Sequence, residues 1–182
     1  GDSITHGRAG TGLVNSNYPS RILNKINNTS FNHVILATSG NTTANLISTQ
    51  LPQASKYYNS NSAIQNYTTN DASVMIGIND VRADVPAATI KANLATIVST
   101  LQSYSFNVKL YTLLKDFTLT APQELVRQEI NAHIIAGTPG QNQTINTTGT
   151  TLETEVALYT DGLHPGPDGY EVLANTAYPY YS

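Results

Sequence analysis

The sequence predicts an α/β protein built on a parallel sheet with helices on both faces. Short apolar runs alternate with helical patterns of roughly 10 to 20 residues, the order that βαβ units require. Several of those runs are apolar at consecutive rather than alternate positions, as strands covered on both sides must be. The 182 residues are enough for one domain with a sizeable core and too few for two ordinary ones. There is no internal repeat or linker, so residues 1–182 are expected to form a single domain.

Taken in order, residues 18–26 predict a helix, with Ile22, Leu23 and Ile26 on one face and Pro19 suited to a first turn. Residues 33–37, His-Val-Ile-Leu-Ala, read as a buried strand. Residues 43–57 read as a helix carrying Leu46, Ile47, Leu51 and Ala54 on one side, with a kink expected at Pro52. Residues 72–76 predict a second strand that runs into Gly77-Ile78-Asn79-Asp80. Residues 86–104 give the clearest helix, with Ile90, Leu94, Ile97, Val98 and Leu101 at helical spacing. Residues 106–114 predict a third strand. Residues 121–135 predict a helix with Leu125, Val126, Ile130 and Ile134 facing inward. Residues 156–158 predict a short last strand, and residues 168–178 a closing helix. Three polar stretches, 7–17, 59–71 and 137–151, read as loops.

Ligands of such sheets sit beyond the carboxyl ends of the strands. Gly40, Asn79 and the pair Asp161 and His164 each follow a strand candidate. Ser3 would follow a strand preceding Gly1, so the first strand of the sheet is expected to be absent from this chain, a fragment or processed product of a longer one.

Composition narrows the partners. Nine basic and twelve acidic residues leave a net charge of −3 with no Lys/Arg cluster, which disfavours nucleic acid and anionic membrane surfaces. No apolar run approaches the 18 or so residues of a membrane span. Cysteine is absent, so disulfides, thiolate metal sites and a cysteine nucleophile are excluded together. The four histidines are scattered without ligand spacing, and no cofactor or metal is expected. Charged residues are only 12%, replaced by 19 Asn and 24 Thr, a balance common in extracellular and surface-exposed proteins, where this chain is placed. Six Asn-x-Ser/Thr sequons are close to the number this composition produces by chance and indicate nothing about glycosylation. The sequence sets no oligomeric state.

Four segments carry chemistry. A serine hydroxyl is a weak nucleophile until a base takes its proton, so Ser3 in Gly1-Asp2-Ser3-Ile4-Thr5 matters only with a partner. His164 is the best candidate, because Asp161 stands three residues earlier and both side chains can project from one turn. The carboxylate would hold Nδ1–H and leave Nε2 facing Ser3. Acyl transfer also needs donors for an oxyanion, and the amides of Ser3 and Gly40 with the Asn79 side chain are the natural set. Taken singly, each segment has an ordinary explanation as a cap or turn. The ordered set is better explained by nucleophilic catalysis.

These segments resemble the blocks of the SGNH, or GDSL-like, hydrolase superfamily: a Gly-Asp-Ser serine, a second-block glycine, a Gly-x-Asn-Asp asparagine and an Asp-x-x-His pair. They match at Ser3, Gly40, Asn79 and Asp161 with His164, in family order and over nearly the whole chain. The opening reads GDSI where the family name has GDSL, and Thr5 and Gly7 continue as in its carbohydrate-active members. The resemblance implies a flavodoxin-like three-layer α/β/α sandwich with a central parallel sheet, and metal-independent hydrolysis of esters or thioesters.

The expected substrate is a short-chain acyl ester, acetyl above all, on a small molecule or carbohydrate. Polar loops support it, with Tyr18, Tyr57, Tyr58 and Tyr67 as candidates to stack on sugar rings. The alternatives are a lipid esterase, lysophospholipase or thioesterase of the same superfamily, for which apolar loops are expected, and a non-catalytic module of a larger surface or tail protein.

Overall fold

A computed structural model of the protein describes residues 1–9, 12, 13, 17–26, 33–60 and 70–181. Among the described residues three parallel strands form the sheet in the order β3-β4-β5: β3 (Asp71–Val74), β4 (Asn107–Tyr111) and β5 (Gln143–Ile145). Val74 pairs with Leu110 and Tyr111 with Ile145, so the three strands end at nearly one level. A two-residue antiparallel pair, β1 (Arg8–Ala9) with β2 (Gly12–Leu13), stands apart within the first polar stretch.

The period of two along β4 sorts the core into two layers. Val108 and Leu110 face a cluster with Leu46, Ile90, Leu94, Ile97, Ile130 and Ile134. Leu46 comes from the π-turn that follows α3 (Thr43–Asn45), the others from α6 (Ala87–Ser103) and α7 (Ala121–Ile135). Tyr111 faces the opposite cluster, with Ile4, Tyr18, Ile22, Tyr170 and Leu173. Those belong to α1 (Ser3–His6), α2 (Tyr18–Ile26) and α8 (Pro167–Ala177). Helices thus cover both faces of a parallel sheet, as the patterning predicts. Lys109, on the α8 side, is buried because it pairs with Asp71 and lies 4.5 Å from the centre of the Tyr181 ring.

Several expectations need correction. Residues 33–37 form no strand: His33 and Val34 are exposed, and among the described residues the segment meets the backbone of Gly1 in one parallel rung. In that rung Gly1 N donates to Leu36 O (2.9 Å) and Thr38 N to Gly1 O (3.1 Å). Residues 156–158 are a 3-10 turn with Val156 exposed, not a strand. The third strand of the sheet lies instead at 143–145, inside a stretch read as loop. Among the described residues it pairs with β4 alone, and it buries only Ile145, so its sequence carries almost no apolar signal.

In α7 the inward face is Arg127, Ile130, Asn131 and Ile134, whereas Leu125 is 66% exposed. Ile130 and Ile134 face inward as expected and Val126 packs partly against the core, so the error is confined to Leu125. Arg127, buried by pairing with Glu124 and Glu153, joins the inward face. The break expected at Pro52 is a π-turn at Leu46–Gln50 leading into α4 (Leu51–Ser60). Proline lacks an N–H and crowds the preceding turn, and one wide turn accommodates both without ending the helix.

Candidate active site

Four segments meet at the candidate site, and one of them, at Asn79, follows a strand of the sheet. Asp2 caps α1 by accepting from Ile4 N (2.9 Å), and Gly7, at φ +91°, closes it after one turn. Ser3 is therefore the first residue of a helix, where a backbone N–H has no partner within the helix. Residues 38–41 form a turn closed by Asn41 N to Thr38 O (3.2 Å), with Gly40 at φ +83°. A side chain built at Gly40 would meet nothing within 4 Å, so the glycine serves the backbone conformation and not a tight fit. Beyond β3, Gly77 starts α5 (Ile78–Arg82) and sets Asn79 in its first turn.

Asp161 and His164 do not follow a strand. They sit on a tight loop closed by an antiparallel bridge between Tyr159 and Pro165, with Thr160 N bonded to His164 O (2.9 Å). Phe117 N, beyond the end of β4, donates to Gly162 O (2.9 Å) and ties this loop to the sheet.

The structure brings Ser3, His164 and Asp161 into one chain of hydrogen bonds. Ser3 Oγ lies 2.9 Å from His164 Nε2, and His164 Nδ1 lies 2.7 Å from Asp161 Oδ2. Asp161 Oδ1 accepts from the backbone of His164 (2.8 Å) and Leu163 (3.1 Å). Burial opposes ionisation of Asp161, but these bonds from His164 and Leu163 outweigh it and hold its carboxyl below the ordinary range. An ionised Asp161 fixes the proton of His164 on Nδ1, so Nε2 is the lone pair that faces the Ser3 hydroxyl. Ser3 and His164 are buried, which strengthens both contacts.

Asn79 is half-buried and gives one N–H of its amide to Asn41 O (2.9 Å), leaving the second for another acceptor. Among the described residues neither the Ser3 nor the Gly40 amide donates to a protein acceptor. Those three donors belong to segments that the hydrogen bonds above hold side by side.

Three features escaped sequence reasoning. Asp80, 1% exposed, binds Thr43 with both oxygens; the only signal was its place beside Asn79. Arg82 binds Asp116 (2.6 Å) and Thr118 (3.0 Å), bracing the turn that holds Gly162. Asp2 buries an Oδ2 without a hydrogen-bond partner among the described residues, and burial pushes its carboxyl up to about 6 against the opposing pull of Ile4 N and nearby His164.

Tyr18 is buried against Tyr111 and bonded to Thr5, so it is closed to a sugar ring. The side chains of Tyr57, Tyr58 and Tyr67 lie outside the described residues. The stretch 137–151 divides: Asn142 bonds Val108 at the start of β4, the edge away from the site, and only residues after Ile145 reach the strand ends. Among the described residues no cluster of His, Asp and Glu is arranged to hold a metal ion, and no helix is long and apolar enough to cross a membrane.

The helix-flanked parallel sheet and the family match that follows define the class, an α/β carboxylic ester hydrolase. The chain belongs to the GDSL-like lipase/acylhydrolase family, whose model matches residues 1–172. Solved structures share the fold at low identity. A member of the lipolytic protein G-D-S-L family from Veillonella parvula superposes with a TM-score of 0.78 at 16% identity, covering 99% of this chain and 94% of its own. The psychrotrophic esterase EstA from Pseudoalteromonas sp. gives 0.69 at 15% identity, with 98% and 92% covered. Axe2, an acetylxylan esterase from Geobacillus stearothermophilus, gives 0.67 at 21% identity, with 96% and 88% covered. No curated protein matches the chain significantly.

Proposed function

We propose that the protein is a serine esterase that removes short acyl groups, acetyl above all, from carbohydrate. The observation that carries the mechanism is the unbroken chain from Ser3 Oγ through His164 to Asp161, with heavy-atom separations of 2.9 and 2.7 Å. Ser3 Oγ attacks the ester carbonyl as His164 Nε2 takes its proton, and the imidazolium formed is stabilised by Asp161. The carbonyl oxygen becomes an oxyanion held by Ser3 N, Gly40 N and Asn79 Nδ2. His164 returns the proton to the leaving alcohol, and water then repeats the sequence on the acyl-enzyme.

Two observations support a short acyl group on a polar alcohol. The segment after β5 is hydroxyl- and amide-rich, with Asn146, Thr148 and Thr150 not fully buried. Axe2, similar in fold, is an acetylxylan esterase. Each acyl methylene left in water forgoes about 0.8 kcal/mol of burial, so polar surroundings reward no added length. Activity on p-nitrophenyl esters should fall from acetyl through butyryl to octanoyl, with acetylated xylo-oligosaccharides deacetylated. A rate maximum at octanoyl would instead support the lipid esterase or thioesterase reading.

A further inference from the structure

We propose that Asp80 is a positioning residue for the oxyanion donors: through Thr43 it holds the Gly40–Asn41 backbone against Asn79. This rests on the reading of Gly40 and Asn79 given above. Asp80 is 1% exposed and Thr43 fully buried. Thr43 N donates to Asp80 Oδ2 (2.8 Å) and Thr43 Oγ1 to Oδ1 (2.6 Å), so both carboxylate oxygens serve a single residue. Asn93 Nδ2 on α6 donates to the same Thr43 hydroxyl (2.9 Å), which leaves that hydroxyl one orientation, toward Asp80. One residue earlier, Asn79 Nδ2 donates to Asn41 O (2.9 Å). Two adjacent residues of α5 therefore grip the other segment at two points, 41 and 43.

Gly40 needs that grip. It is exposed, and a Cβ there would touch nothing within 4 Å, so packing does not set where its amide points. Its tethers are the 38–41 turn on one side and the 41 and 43 contacts on the other. A donor displaced by a fraction of an ångström from a developing oxyanion loses most of its effect. Burying a carboxylate is costly, and burial does push the Asp80 carboxyl upward in spite of the Thr43 bonds. The start of the helix has its own cap, since Thr42 and Asn45 form a reciprocal capping box. Asp80 thus adds a fixed distance between Gly40 and Asn79 that a helix cap does not require.

The test compares a p-nitrophenyl acetate with its thionoacetate, in which C=S replaces C=O. Sulfur accepts hydrogen bonds poorly, so oxyanion donors accelerate the oxoester far more than the thionoester. In the full chain, Asp80→Asn should lower kcat on the oxoester by about 10- to 100-fold, less than the loss expected for removing a donor outright, with KM nearly unchanged. The oxo-to-thiono rate ratio should fall about tenfold or more, as it should in Asn79→Ala. Thr43→Val, which keeps the N–H and removes the hydroxyl, should lower the ratio less and carries the test if Asp80→Asn does not fold. A merely structural Asp80 would reduce both rates equally. If the ratio falls in Asn79→Ala but holds in Asp80→Asn and Thr43→Val, the positioning role is overturned while the oxyanion assignment stands. If it holds in Asn79→Ala as well, the oxyanion assignment fails and the positioning role with it.

Discussion

Replacing Asp161 by asparagine should damage the enzyme more than replacing it by alanine. Asp161 Oδ1 is pinned by two backbone N–H groups, of His164 at 2.8 Å and Leu163 at 3.1 Å. An asparagine keeps those bonds only with its oxygen in the Oδ1 position, which puts its NH₂ where Oδ2 now meets His164 Nδ1 at 2.7 Å. A donor there forces His164 into the tautomer with the proton on Nε2, and the lone pair facing Ser3 is lost. A wrong tautomer of this kind costs about 10⁴ in kcat, or about 5.5 kcal/mol of transition-state stabilisation. Alanine imposes no tautomer. The Asp161 side chain is 38% exposed, so water can reach Nδ1–H in its absence. We expect Asp161→Ala to retain about ten times or more the activity of Asp161→Asn. The assay is initial-rate hydrolysis of p-nitrophenyl acetate at neutral pH, with thermal melts confirming that both variants fold. An asparagine variant as active as the alanine one, or more so, would refute the reasoning, because it would mean that the pinned carboxylate does not set the tautomer.

Two further predictions concern stability. Arg127, 3% exposed in its side chain, donates to Glu124 (2.9 and 3.0 Å), Glu153 (2.9 and 2.7 Å) and Leu113 O (2.9 Å). Arg127→Met should cost about 3 kcal/mol in urea denaturation, at the low end for a broken buried pair because both carboxylates keep some water contact; a loss under about 1 kcal/mol would mean that the network is not stabilising. Burial resists ionisation of Glu124, but the bonds from Arg127, Lys115 and Gln128 win and lower its carboxyl from 4.5 to about 2. A depressed folded-state value contributes stability that is complete above the unfolded value and lost as pH falls through the folded one, so this contribution should vanish between pH 4.5 and about 2. Denaturant titrations on descending pH should show a shallower decline for Glu124→Gln than for the parent; identical slopes would contradict the assignment.

The legible parts of this chain were those where one physical rule acts alone. The helices α2, α6 and α8 were read correctly because their buried residues are apolar and recur at helical spacing. The side chains of the proposed triad were legible because nucleophile, base and orienting acid must be of particular types, and turns must present them. Legibility failed where tertiary pairing overrides local pattern. Arg127 joins the buried face of α7 through its ion pairs, which no hydrophobic count anticipates. The edge strand at 143–145 takes its conformation from β4 and not from its own polar residues. The grip of Asp80 on Thr43 joins positions 37 apart in sequence, a contact that only the folded chain makes visible.

The central claim is that Ser3 is a nucleophile activated by His164, and covalent trapping tests it most directly. A fluorophosphonate reacts with an activated serine hydroxyl and leaves a stable adduct on its oxygen. Incubation of the parent, Ser3→Ala and His164→Ala proteins, followed by peptide mass analysis, should find one adduct in the parent, on Ser3. None should form in Ser3→Ala, and labelling should be slower by orders of magnitude in folded His164→Ala. An adduct on another residue, or labelling of His164→Ala at the parental rate, would contradict the account.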